Sequence, residues 1–93
     1  IRLQAMIIRQ TPTFQRAYKK LKKHPKEVVD AGIEEIITNP AIGRFKKGDL
    51  SDHLVHKIRD KSKQVLIAYS YSNDVLELID FGTHENFYRD LKL

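Results

Sequence analysis

Cysteine is missing from this sequence altogether, which excludes disulfides and thiolate metal sites and is compatible with a reducing compartment. Long apolar runs are missing too: no stretch of about 18 apolar residues occurs, so no segment is long enough to span a bilayer as a helix. There is no internal repeat, low-complexity tract or linker, and residues 1–93 therefore read as a single domain. The four histidines, His24, His53, His56 and His84, lack a compact ligand spacing, so neither a metal nor another cofactor is expected. No GxxxxGK[ST] loop is present. Chain start Ile1 has no charged-then-apolar leader behind it and reads as a trimmed beginning, not a signal peptide.

What is present is basic and ordinary in apolar content. Apolar residues make up 41% and charged residues 31%, values of a globular domain. A chain of this size buries only a little over ~60% of its unfolded surface, so its stability is expected to be modest. Seventeen Lys and Arg against twelve Asp and Glu leave a formal +5, which favours a polyanionic partner: nucleic acid, an anionic surface or an acidic protein segment.

Along the chain, Leu3 to Ile8 reads as a short strand. Thr11-Pro12 is a helix start, since the hydroxyl can cap and proline tolerates the first turn. Phe14, Ala17, Tyr18 and Leu21 then recur at helical spacing, opposite Arg16, Lys19, Lys20, Lys22 and Lys23. That helix is expected to stop at His24, because Pro25 disfavours helical geometry in the residue before it. A second helix follows from Pro25 to Thr38, burying Val29, Ile33, Ile36 and Ile37 and exposing Glu27, Asp30, Glu34 and Glu35. The two form an antiparallel hairpin across a His-Pro turn, with Gly32 permitting close backbone approach.

Beyond Pro40, three strands are expected at Leu54 to Arg59, Val65 to Tyr71 and Leu76 to Phe81, separated by connections short enough to demand antiparallel neighbours. A short helix from His84 closes the chain. The fold class is α+β: an N-terminal strand, a helical hairpin packed on an antiparallel sheet of about four strands, and a short C-terminal helix.

Several side chains are suited to chemistry on a phosphodiester. Spaced by four on a helix, His84 and Tyr88 share one face, and a first-turn histidine sits beside free backbone N–H groups that welcome phosphate. The equally simple alternative makes His84 a turn residue near a Thr83 cap and Tyr88 a rim aromatic. Alternation puts His53, Val55, Lys57 and Arg59 on one side of their strand and Leu54, His56 and Ile58 on the other. Lys57 and Arg59 are candidates for holding a phosphate, or else part of a solvated sheet face. His56, among apolar neighbours, reads as a hydrogen-bonded, semi-buried residue. "GRFKKGD" places Arg44, Lys46 and Lys47 in a glycine-bounded loop able to reach phosphates, or simply exposed. The lysines of the first helix could meet RNA by charge alone. Tyr69 and Tyr71 share a strand face and read as core or groove lining, with base stacking as the alternative.

"KKGDLSDHLVHKIR" and "QVLIAYSYSNDVLELIDFGTHENFYRDLK", preceded by the helical hairpin, resemble the RelE/ParE superfamily of toxins from bacterial type II toxin–antitoxin systems. The likeness covers nearly the entire chain. "HENFYRDLK" after a Gly-x turn is similar to the ending of a common subgroup, and "GTH" with an aromatic four residues on resembles the YafQ branch. The resemblance implies a cytoplasmic bacterial toxin, mostly an endonuclease acting on mRNA at the ribosome, with the ParE branch instead inhibiting DNA gyrase. It implies His84 as acid or base and Tyr88 as the aromatic that orients the nucleotide. Lys57 and Arg59 would stabilise the phosphate, while Arg44, Lys46, Lys47 and His53 would bind RNA. Implied partners are a cognate antitoxin, the ribosome and mRNA, with operator DNA met only through the antitoxin complex and no membrane. A non-toxic RNA- or antitoxin-binding relative is a third possibility. The chain departs from the RelE pattern at Gln64-Val65-Leu66, where an arginine commonly stands, and from the YafQ pattern in lacking an acidic residue and tryptophan near Lys63 and Gln64.

Overall fold

A computed structural model describes residues 6–45, 53–61 and 63–83, without the side chains of Arg44 and Phe45. Strand β1 (Ile7–Gln10) leads to Thr11, which joins strand to helix through its hydroxyl. Thr11 Oγ1 accepts the Phe14 N–H at 3.1 Å, donates to the Ile79 carbonyl at 2.7 Å, and so caps helix α1 (Pro12–Lys19) while pinning it to the sheet. α1 buries Phe14 and leaves Gln15, Arg16 and Lys19 in solvent.

The expected helix end at His24 is not where the chain turns. α1 stops at Lys19, with the Lys20 N–H closing on the Ala17 carbonyl at 3.2 Å, and helix α2 (Lys23–Thr38) starts before the proline. Pro25 falls in the first turn of α2, where its missing N–H has no intrahelical partner to lose. The turn is therefore Lys20–Lys22 and not His-Pro. Across the hairpin the Tyr18 hydroxyl donates to Asp30 Oδ1 at 2.6 Å, and Lys26 Nζ lies 5.1 Å from the Tyr18 ring centre.

α2 buries Val29, Gly32 and Ile36, with Ile33 and Ile37 half-buried. Gly32 serves the sheet and not the other helix: a Cβ there would run into Ile58 Cδ1 and lie 2.9 Å from Ile67 Cδ1. Asn39 ends the helix, its N–H bonding the Glu35 carbonyl at 3.0 Å, and a single 3₁₀ turn (Pro40–Ile42) follows.

Strands β2 (Arg44–Phe45), β3 (Leu54–Asp60), β4 (Lys63–Ser72) and β5 (Val75–Thr83) complete a five-stranded sheet ordered β1-β5-β4-β3-β2. The sheet is mixed, where an antiparallel one was expected. β2–β3, β3–β4 and β4–β5 are antiparallel, but β1 runs parallel to β5, Ile8 opposite Leu76. Connection length fixes the direction of strands joined by hairpins, and nothing comparable constrains the first strand against the last. β1 also begins later than the expected Leu3, and β2 falls inside what reads as a loop. Asn73 and Asp74, at φ 52° and 64°, turn the β4–β5 hairpin in the left-handed region that two-residue hairpins require. The expected C-terminal helix lies outside the described residues.

The main core lies between helices and sheet: Phe14, Val29, Ile36, Ile67, Tyr69, Leu76 and Leu78, with Phe81 edge-on to Phe14 at 5.0 Å. Tyr69 is wholly buried yet satisfied, since its hydroxyl donates to the Pro40 carbonyl at 2.6 Å and accepts the Gly43 N–H at 2.9 Å. No described helix is long and apolar enough to cross a membrane.

Candidate functional site

Strand alternation divides β3 as its sequence predicts. Leu54 and Ile58 pack on the main core, and His56 is 9% exposed with Nε2 2.6 Å from Glu35 Oε1. The imidazole is thus held by a carboxylate on α2, the hydrogen-bonded setting expected of it. A cavity of about 480 Å³ opens beside this pair, lined by Glu34, Thr38, Asn39 and Ile42 as well.

Val55, Lys57 and Arg59 take the other face, away from the helices. Val55 joins Leu66 and Ala68 in a second, smaller cluster against Ile79, whereas Lys57 and Arg59 are exposed. Register places Leu66 beside Lys57 and Gln64 beside Arg59 on β4, with Gly82 of β5 next to Leu66. The far face thus offers an apolar floor, one flank of which carries two cations. Among the described residues the ion pairs are His24–Asp60 and His56–Glu35, so no described carboxylate is paired with either cation.

The register also fixes where β5 ends. Thr83 lies opposite Val65, and Val65 opposite Ile58, the residue before Arg59. Two strand spacings, roughly 10 Å, separate the end of β5 from β3 at that level.

Of the predicted site residues, the sheet brings Lys57 and Arg59 together on one face. His53 stands at the foot of the same strand, half-buried, with Nδ1 lacking a hydrogen-bond partner among the described residues. Arg44 pairs through its backbone with Val55, toward the opposite end of β3 from Arg59. His84, Tyr88, Lys46 and Lys47 lie outside the described residues. Among the described residues, no group of histidine and carboxylate side chains is arranged to hold a metal ion.

Sequence reasoning missed the contact between the two chain turns. His24 Nε2 sits 3.0 and 3.1 Å from the two Asp60 carboxylate oxygens, 36 residues apart in the chain. The visible signal was charge: "KKLKKH" and "DKSK" are basic runs, each at a turn.

Two of three comparisons with known proteins find matches to the chain. The sequence model of one family, described as the ParE-like toxin of type II bacterial toxin–antitoxin systems, matches residues 8–92. A search of curated proteins finds no match. Among solved structures, the toxin–antitoxin complex RelBE of E. coli aligns with a TM-score of 0.66 at 20% identity, over 84% of this chain and 95% of that one. YafQ from E. coli aligns with a TM-score of 0.66 at 14% identity, over 90% and 99% of the two chains. A YoeB/ParE toxin from Agrobacterium tumefaciens gives 0.64 at 20% identity, over 85% and 99%. At these identities the structural likeness is one of fold.

Proposed function

The chain belongs to the ParE-like toxins of type II bacterial toxin–antitoxin systems, and from that premise we propose that it arrests growth as a metal-independent endoribonuclease acting on ribosome-bound mRNA. The observation that carries this reading is the pair Lys57 and Arg59, exposed on the far face of β3 with no carboxylate partner among the described residues. Cleavage of RNA by its own 2′-hydroxyl breaks the P–O5′ bond as the P–O2′ bond forms, leaving a cyclic phosphate and a 5′-hydroxyl. The pentacovalent phosphorus carries extra negative charge, and two fixed cations beside it favour that state over the ground state. His84, which follows Thr83 in the chain, serves as the acid or base, since an imidazole titrates near neutral pH. Tyr88 orients the nucleotide by stacking, and His53, Arg44, Lys46 and Lys47 extend the contact along the RNA backbone.

A cognate antitoxin is the protein partner in this reading, its acidic segment neutralising the basic surface and contacting operator DNA on the toxin's behalf. The place of action is the bacterial cytoplasm, where the ribosomes are. The test is transcript-end mapping after brief induction, with and without His84→Ala. Cuts in phase with the reading frame that vanish in the variant support the reading; unchanged growth arrest by a folded variant discards the role of His84. The ParE-like description of the family favours a second reading, a gyrase inhibitor without nuclease activity. In that case gyrase–DNA breaks accumulate, transcripts stay whole, and Lys57 and Arg59 are dispensable.

A further inference from the structure

Strand β5 breaks its own alternation. Leu76 and Leu78 face the helices, and unbroken alternation would send Asp80 in after them. Instead Leu78 pairs with Tyr69 and Asp80 with Ala68, so Ile79 is the extra residue of a β-bulge. Beyond it the two sides are exchanged: Phe81, opposite Ile67, enters the main core against Phe14, while Ile79, Asp80 and Gly82 take the far face with Ala68 and Leu66. One residue holds both carbonyls at the bulge. Thr11 donates its N–H to the Leu78 carbonyl at 3.0 Å and its hydroxyl to the Ile79 carbonyl at 2.7 Å. Asp80 Oδ1 accepts the Phe81 N–H at 2.8 Å, which sets the half-buried carboxylate against its own strand.

The bulge polarises the far face. Lys57 and Arg59 stand on β3 and Asp80 on β5, two strand spacings or roughly 10 Å apart across β4. A nucleic-acid strand meeting this face has one favoured orientation, phosphates over β3 and base edges toward β5, because the reverse sets phosphate against a carboxylate. We propose that Asp80 is a specificity-determining residue, whose carboxylate accepts two N–H groups from the Watson–Crick edge of a guanine in single-stranded RNA; the inference rests on the RNA-directed reading above. Single strands are read at these edges. A carboxylate accepts without donating and takes several N–H partners at once. Guanine presents two adjacent donors, N1–H and the N2 amino group. Adenine and cytosine set one amino group beside an acceptor nitrogen that a carboxylate repels, and uracil sets one N–H between two carbonyls. The bulge is what brings this selection to the cationic face, since without it the same side chain points toward the helices.

The test measures binding separately from cleavage. Short uracil-rich 2′-O-methyl RNAs, whose blocked hydroxyl cannot attack, carry either guanine or inosine at one position; inosine lacks the N2 amino group. The purified chain is expected to bind the guanine RNA more tightly by roughly 5- to 150-fold, the span of one bidentate base contact. Asp80→Asn keeps an oxygen for the Phe81 N–H but presents one acceptor and one donor, the pattern that matches adenine. Its guanine-to-inosine ratio is expected to fall to about 1, with adenine gaining. Because the variant also loses a negative charge, the ratio is read and not the absolute affinity. Glu77→Gln, earlier on the same strand, is expected to keep the wild-type ratio, and thermal unfolding checks each fold. Guanine and inosine RNAs bound alike by the wild type, or neither bound, overturn the proposal, as does a wild-type ratio in Asp80→Asn. If the ratio depends on Asp80 while no transcript is cut in cells, this assignment stands and the nuclease reading falls. If transcripts are cut and Asp80→Asn leaves the bases at the cut unchanged, the nuclease reading stands and this assignment falls.

Discussion

The two faces of the sheet are made from the same strands and do different work. Toward the helices, Ile67 and Tyr69 of β4 and Leu76 and Leu78 of β5 are buried to within 1% and interlock with Phe14, Val29 and Ile36. On the far face Val55, Leu66 and Ala68 are the buried cluster among the described residues, and Lys57 and Arg59 are exposed. Because side chains alternate along β3, neighbours such as Ile58 and Arg59 serve opposite ends: one holds α2 down, the other offers charge. The lesson is that stability and chemistry are separable here residue by residue, which makes the division open to direct attack.

The largest effect is expected on the helix side. Phe14→Ala removes a buried ring that touches Tyr18 and Phe81, and a cavity of that kind costs about 3–5 kcal/mol. Domains are stable by only about 5–15 kcal/mol in total, so urea unfolding should show the variant partly unfolded at 37 °C. A loss under about 1 kcal/mol would mean that the helices do not carry the core. The reverse pattern is expected of Lys57→Ala combined with Arg59→Ala. Under the nuclease reading, transcript cleavage falls by about 10²–10³, or about 2.7–4 kcal/mol of transition-state stabilisation. The unfolding midpoint stays put, because exposed substitutions generally change stability by within about 0.5 kcal/mol. Normal cleavage by this variant would detach the far face from the chemistry.

The legible part of this fold was whatever local periodicity encodes. Phe14, Tyr18, Val29 and Ile36 mark the helices by their spacing, and the alternation of β3 sorts Leu54, His56 and Ile58 from Val55, Lys57 and Arg59 correctly. Tyr69 as core was legible for the same reason. What failed depends on partners far away in sequence. Nothing in "IIRQ" says that it will lie parallel to β5, and two residues, Arg44 and Phe45, are too few to show a strand period. Pro25 misled because proline both ends helices and begins them. Gly32 was read against the wrong neighbour, since a glycine shows that something comes close but not what. The candidate site was half legible: Lys57 and Arg59 share a face as alternation requires, while the roles of His84 and Tyr88 rest on the family resemblance. His24 and Asp60 gave only the signal of two basic runs at turns, and nothing local pairs one run with the other.

An intermediate effect is expected at Tyr69, where the helix layer is fastened to the sheet by a hydroxyl. Tyr69→Phe leaves the Pro40 carbonyl and Gly43 N–H short of a partner in a half-buried setting, a loss of about 1–2 kcal/mol. It also changes alkaline behaviour. Burial raises the Tyr69 phenol above its ordinary 10.0, partly opposed by the Gly43 N–H. A pKa raised on folding supports the native state fully below the unfolded value, and that support is lost as pH rises through the folded one. Stability of the wild type should therefore decline above pH 10.0, and the phenylalanine variant should decline less steeply. Tyr18, raised chiefly by donating to Asp30, keeps part of the slope in both. Identical alkaline unfolding curves would show that the Tyr69 hydroxyl is in contact with water.

The smallest effect sharpens the comparison most, because it falls at the joint between the layers. His24 on α2 meets Asp60 at the end of β3, and the imidazole side of the pair is 59% exposed. An exposed pair gains little over solvation, so His24→Ala is expected to cost no more than about 0.5 kcal/mol, and a double-mutant cycle with Asp60→Asn should return a coupling of the same small size. α2 stays in place without it, since Gly32 lets the helix settle directly on Ile58 and Ile67. A coupling well above 1 kcal/mol would mean instead that the helices are clamped to the sheet at its basic end. The contact would then be structural, and the lysines around it would inherit their positions from a load that the core does not carry.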